Sequence, residues 1–433
     1  MSQGLANGAV TVRPLGEGMD FYAIPSKRFK TTGIMVLMTL PLDREKAAQR
    51  ALVVRLLGRT NEKYPTMSAM KKQMAMLYGA NMSGAANRQA DTQSLMLTVS
   101  SLADRFALDG EVLSMQCAQL LCDSLLCPAM EGDSLSSDNV EMEKRLLREH
   151  LEAQRGDKIM YSLERCIEET FEGQPASVNP EGEVQQVEGI TPQSATEAWR
   201  ELLRSARIFV LAAGDMDFDA VYEVFRSRLA GLERAYSEFA FGKSAPAREQ
   251  SRTVDEQAVT VQSKLVMSLQ LPPREPEDFS GVMLSECLGG SPSSRLFTTV
   301  REKLSLCYYC ASMYMRRKET VFVYSGLETD KLKTAREEII RQCRWIADGK
   351  LTAEEIEAAR MSYANRCAMV EESIATLLMW YIRQLPEKLM TPQQAAEAAL
   401  AVTPEQIAQA ASELSEDTVY ILRGILCDEL EVI

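Results

Sequence analysis

Residues 289–309 read GGSPSSRLFTTVREKLSLCYY and hold the densest cluster of distinctive residues in the chain. The glycine pair Gly289-Gly290 predicts the opening of a Ser-capped helix, and the helix runs into a strand. Adjacent glycines suggest a phosphate cradle, but no GxxxxGK[ST] pattern is present and no GxGxxG follows a strand. A helix C-cap and turn is therefore the expected role of the pair.

Working outward, 306–311 precedes a polar stretch, a strand over 321–324, and a helix with Leu332, Ala335, Ile339, Cys343 and Ile346 at spacings of three and four, closed by Gly349. The first half of the chain repeats this succession: Leu77-Tyr78-Gly79-Ala80, a polar stretch, a strand over 95–99, and a helix with Leu113, Cys117, Leu120 and Leu121. A second correspondence lies nearer each end. Thr191-Pro192 and Thr403-Pro404 each place a capping hydroxyl before a proline at the first helical position, and a helix and a strand follow, at 208–211 and 419–422. Thr391-Pro392 is a third such start, and Thr352 with Glu355 makes a capping box. The offsets of 212 and 229 residues point to duplication of one fold, with chance similarity of common helix-strand units as the alternative. Between the halves, AYSEFAFGKSAPAREQSR (235–252) lacks helical periodicity and carries Gly and Pro breaks. The expected organisation is a domain over 1–234, a linker over 235–252 and a domain over 253–433. Hairpin-like strand succession without regular strand-helix alternation predicts the α+β class: two homologous domains, each a mostly antiparallel sheet with helices packed on one face.

Composition excludes several functions. The 433 residues are 46% hydrophobic and 25% charged, as in an ordinary globular protein. With 48 Lys+Arg against 61 Asp+Glu, the net charge of -13 opposes a grip on phosphate backbones, so nucleic acid is not an expected partner. Spanning a bilayer takes about 18 apolar residues. The nearest run, 33–42, contains Thr39 and Pro41, so no membrane is expected. The opening MSQGLANGAVTVRP lacks the charged and apolar stretches of a secretory signal, and a cytoplasmic location is expected. One histidine, His150, leaves little for a His-rich metal site or a Ser-His-Asp triad. Cys117, Cys122 and Cys127 sit in a leucine-rich helical stretch as small hydrophobes. Cys307 and Cys310 have CxxC spacing, but strand alternation is expected to point their sulfurs to opposite faces.

The segment 289–309 resembles the signature of the C-terminal half of pitrilysin/insulinase-family (M16-type) metallopeptidases, which include mitochondrial processing peptidase. In that family an Arg and a Tyr lie seven residues apart, as Arg301 and Tyr308 do here. The resemblance implies a metallopeptidase LuxS/MPP-like fold and a role for this pair in holding substrate backbone and stabilising an oxyanion. Peptide-cutting members also carry HxxEH on an N-terminal helix. Aligned on Thr60, the corresponding positions are Arg50, Val53 and Val54, a degenerate zinc motif. A cation and two aliphatic groups neither coordinate zinc nor deprotonate its water. The third ligand position falls on Glu149, a vestigial carboxylate, and no metal site is expected in this chain. KRFKTTGIMVLMTLPL and KYPTMSAMKKQMAMLYGAN further resemble a non-catalytic, YfmF-type branch of Gram-positive bacteria, associated by name with 5-aminopentanol modification of elongation factor P.

The resemblance implies a proteolytically silent subunit of a heteromeric zinc peptidase, in which two two-domain chains close around a chamber. Zinc is expected in a zinc-bearing insulinase-family paralogue, the partner; Arg301 and Tyr308 contact the peptide substrate; and a homodimer forms when the partner is absent. The alternative is a purely structural or peptide-binding family member with no part in proteolysis. An autonomous hydrolase would need a nucleophile and base built around one His, and no GxSxG elbow is present. Met67, Met70, Met74 and Met76 form either an adaptable apolar surface or ordinary core.

Overall fold

The apolar run near the N-terminus becomes strand β3 (Thr31–Pro41), and its position explains its composition. Ile34, Val36 and Met38 enter one hydrophobic cluster and Met35 and Leu37 another, so both faces of the strand are covered and alternation with polar residues disappears. The computed structural model describes residues 10–242, 246–387 and 389–425. Their contacts divide them into two units. The first comprises residues up to 152, 178–241 and 370–389; the second comprises 153–177, those described within 242–369, and those from 390 onward.

The first unit contains β1 (Thr11–Gly16), β2 (Met19–Pro25), β3, α1 (Ala47–Leu57), α2 (Met67–Met76), β4 (Asn81–Gln89), β5 (Thr92–Leu102), α3 (Leu113–Leu126) and a ribbon of β6 (Met130–Glu131) and β7 (Ser134–Leu135). After α4 (Ser137–Gly156) the chain enters the second unit with α5 (Lys158–Thr170). It returns for α6 (Val184–Glu188), α7 (Pro192–Ser205), β8 (Arg207–Gly214) and α8 (Phe218–Leu229). The six-stranded sheet has the order β1-β2-β8-β3-β5-β4, antiparallel throughout except for the parallel pair β2/β8. Leu52, Val53, Leu121, Leu202 and Phe225 from the helices cover one face.

The second unit continues with β9 (Arg252–Val259), β10 (Ser263–Gln270), α9 (Ser280–Ser285), two π-helical segments (Glu286–Gly290 and Leu296–Lys303), β11 (Tyr309–Met315), β12 (Thr320–Leu327), α10 (Leu332–Ala347) and α11 (Ala353–Val370). Next comes α12 (Ile374–Ile382), which belongs to the first unit, and then α13 (Pro392–Leu400), α14 (Pro404–Ser412) and β13 (Ser415–Ile425). Its sheet order is β11-β12-β10-β13-β9, again antiparallel except for one pair, β13/β9. Without β1, the first sheet reads β2-β8-β3-β5-β4, which superimposes strand for strand, with its parallel pair, on β9-β13-β10-β12-β11. The fold is the duplicated α+β one expected, and the helix starts at Thr191, Thr391, Thr403 and Thr352 all make their side-chain caps.

Each sheet also has its second face covered by one helix. Ile374, Leu377, Leu378 and Tyr381 of α12 lie on Met35, Leu37, Phe209 and Leu211 of the first sheet. Leu163, Cys166 and Ile167 of α5 lie on Val266, Phe322, Tyr420 and Leu422 of the second. Each such buried aliphatic side chain contributes roughly 1.5–3 kcal/mol, enough to hold a helix of this length. The two crossovers make the units discontinuous, whereas the sequence reading has contiguous halves. Of the expected linker, 243–245 lie outside the described residues. Its start is held on the first unit by aromatic contacts: Phe241 lies 6.4 Å from Phe209, and a Cβ on Gly18 would come 2.5 Å from the Tyr236 ring.

Candidate functional site

Helix α1 carries the positions at which the resemblance places a degenerate motif, and both of its arginines are engaged. Arg50 is 3% exposed; its guanidinium donates to Glu201 of α7 at 3.2 Å and to the Pro41 carbonyl at 3.0 Å. Lys46 reaches the same carboxylate at 2.8 Å. Burial pushes the Glu201 carboxyl up, but hydrogen bonds and charge from Arg50 and Lys46 outweigh it and hold it below the ordinary range. Val53 and Val54 are wholly buried in the core. One turn on, Arg55 donates to Glu143 of α4 at 2.8 Å and to Glu181 at 3.2 Å, and Arg59 meets Glu143 at 2.8 Å. Burial raises the Glu143 carboxyl against the pull of both arginines. His150 is hydrogen-bonded to Glu181 at 3.0 Å.

Guanidinium groups carry no free electron pair for a metal, and aliphatic side chains carry none at all. The residues at 50, 53 and 54 therefore do not fit zinc, and among the described residues no three of His, Cys, Asp and Glu cluster as ligands would. Glu149 lies on the outer side of α4, 58% exposed, 3.9 Å from Arg145. The carboxylate that α4 turns toward α1 is Glu143, which the sequence reading missed. It sits in the buried stripe with Val140, Leu147 and Leu151, and a lone acid in such a stripe was the available signal.

In the second unit the two resemblance-derived residues occupy different local settings. Arg301 lies on the π-helical segment 296–303, whose widened winding is visible in the Leu304 amide donating to Thr299 five residues back at 3.0 Å. Its guanidinium stacks over Phe297, 4.4 Å from the ring centroid. Tyr308 immediately precedes β11; its amide donates to the Gly326 carbonyl at 2.8 Å and its hydroxyl to Glu328 at 3.3 Å. The ring is 52% exposed. Both groups are exposed to solvent.

Two sequence expectations in this region need correction. The glycine pair does not cap a helix in left-handed geometry, and no serine side chain caps the segment that follows. Gly289 is required by close approach, since a Cβ there would lie 2.5 Å from the Ser312 amide of β11. The sulfurs of Cys307 and Cys310 do not point apart. β11 begins only at Tyr309, so alternation does not apply to Cys307. The neighbouring Cys310 thiol and Arg301 lower the Cys307 thiol despite partial burial. The helical thiols behave as expected: burial pushes Cys117 up to about 11 and Cys122 up to about 12.

Residues 189–363 match the family described as the peptidase M16 inactive domain. The probable inactive metalloprotease YmfF of Bacillus subtilis (strain 168) is 25% identical over 410 residues, covering 94% of this chain and 96% of that one. The chain is thus similar along nearly its whole length to a probable inactive metalloprotease, and over 189–363 to the M16 inactive domain. A conserved protein from Enterococcus faecalis V583 shares the fold at a TM-score of 0.88 with 21% identity, over 96% of this chain and 99% of its own. A peptidase M16 inactive domain from Pseudomonas fluorescens does so at 0.77 with 14% identity, over 96% and 98%. No helix among the described residues is long and apolar enough to cross a membrane.

Proposed function

We propose that this M16 homologue is the non-catalytic subunit of a heteromeric cytoplasmic zinc peptidase, supplying Arg301 and Tyr308 to a site whose zinc and general base lie on a paralogous partner. The observation that carries the reading is the contrast within one chain: at the zinc-motif positions every side chain is buried or ion-paired, whereas Arg301 and Tyr308 stay exposed on ordered backbone. A guanidinium fork and a phenolic hydroxyl are donors suited to a peptide carbonyl and to the oxyanion formed from it. The partner's metal would polarise that carbonyl and activate water. The substrate class is peptide, and without the partner the chain pairs with itself.

The test is a peptidase assay of the purified chain alone and mixed with its zinc-bearing paralogue. Activity is expected only in the mixture, and chelator-sensitive cleavage by the lone chain defeats the proposal. Arg301→Ala and Tyr308→Phe are expected to lower turnover of the mixture tenfold to a thousandfold with the pair still assembled on a sizing column, the range for a lost oxyanion donor. Unchanged turnover would instead favour a purely structural subunit.

A further inference from the structure

Beside the edge strand β4 lies a cavity of about 290 Å³ lined by Gly58 and Arg59 after α1, Met67, Met70, Lys71 and Met74 of α2, and Ala80, Asn81 and Met82 at the start of β4. Four thioether side chains make an apolar wall that adapts its shape, because methionine is unbranched and polarisable. Its size is at the lower end of the roughly 300–1,000 Å³ of small-molecule sites, room for one large side chain rather than a folded partner. The polar residues are not equivalent. Arg59 is already matched by Glu143 at 2.8 Å. Lys71 is exposed and makes no ion pair among the described residues, leaving an unmatched ammonium beside the apolar wall.

Its place in the duplicated fold is also informative. Lys71 precedes Tyr78 by seven residues and β4 follows; Arg301 precedes Tyr308 by seven and β11 follows, β4 and β11 being the corresponding edge strands. The first unit therefore repeats the cation-tyrosine spacing with Lys71, and here it adjoins a cavity.

We propose that this cavity is a binding subsite for the C-terminal residue of a peptide, its large apolar side chain among the methionines and its free carboxylate on Lys71. An ammonium discriminates for the anion but not for its planar geometry, so selectivity for the free acid over the amide is modest, up to about fivefold at an exposed site. Unlike the activity proposed above, this binding needs neither zinc nor a partner.

The experiment uses the full chain with methyl-labelled methionine, titrated with N-acetyl-Gly-Gly-Phe as the free acid and as the amide. The methyl signals of Met67, Met70, Met74 and Met82 are expected to shift while those of the exposed Met361 and Met369 stay. The acid is expected to bind three- to fivefold tighter than the amide, and Lys71→Gln to erase the difference. The methionine spectrum of the variant reports its fold directly. Shifts absent from the four lining methyls at millimolar peptide, or equal affinity for acid and amide, overturn the proposal. So does retention of the difference in Lys71→Gln.

Discussion

The two units meet the same construction problem with opposite charges. In the first, α1 lies so close on the edge strand that Gly58 and Gly84 face each other: a Cβ on Gly58 would come 2.4 Å from the Gly84 amide, and one on Gly84 would come 1.8 Å from the Val54 carbonyl. In the second, Gly289 makes the corresponding approach to β11. A few residues before each glycine an ion pair ties this element to a later long helix. In the first unit the helix supplies the cation, Arg55, and α4 the anion, Glu143; in the second the element supplies Glu286 and α11 supplies Arg366. Backbone contact admits only glycine, whereas charge balance can be met with either polarity. Helix α1 of the first unit is thus tied to α4 by neutralised charge.

The largest effect that would break this symmetry is Gly84→Ala, because the clash is with backbone and cannot be relieved by a rotamer. It is expected to cost about 4 kcal/mol or more, read as loss of the cooperative urea transition. Next, Glu143→Ala leaves Arg55 and Arg59 partly buried without their shared partner, at a cost of about 3–5 kcal/mol. Its counterpart Glu286→Ala leaves only the half-exposed Arg366 without a partner and is expected to cost about 1–2 kcal/mol. Equal midpoint shifts for the two variants would show that burial does not set the difference.

Acid sharpens the comparison further. Glu201 has its folded pKa depressed, so its pairs with Arg50 and Lys46 contribute stability above the ordinary glutamate range, and that contribution is lost as pH falls through the lowered value. A pH series of urea midpoints should find Glu201→Gln less stable than the parent near neutrality, with the gap closing in strong acid; a gap of constant size contradicts the assignment. The smallest effect belongs to Glu149→Ala. An exposed carboxylate 3.9 Å from Arg145 is expected to contribute less than about 0.5 kcal/mol, and a larger loss would mean that it has a buried partner after all.

Much of the architecture was legible because its signals are local. The threonine-proline caps, the apolar stripes at spacings of three and four and the repeated helix-strand units need only nearest neighbours along the chain. That Arg50, Val53 and Val54 are wrong for a metal in any conformation was equally legible from their chemistry. The partners of the charged residues were not. Glu201 is 151 residues from Arg50 and Glu143 is 88 from Arg55, and no periodicity encodes such pairings. The reading of Cys307 failed for a related reason: whether a strand begins at 307 or 309 decides which way a sulfur points, and that boundary is set by pairing with β12.

What the amino-acid order alone determined is an α+β chain built twice, with an arginine and two valines at positions 50, 53 and 54 and with Arg301 seven residues before Tyr308; these follow from residue identity and short-range spacing. Only the tertiary structure decided that α5, from the first half of the sequence, covers the second unit's sheet and α12, from the second half, the first unit's, that Glu143 rather than Glu149 faces α1, and that methionines of α2 and β4 enclose a cavity beside Lys71. The reason is physical: apolar faces and buried charges specify that they must be covered or matched, but which distant segment does so depends on the packing of the whole fold.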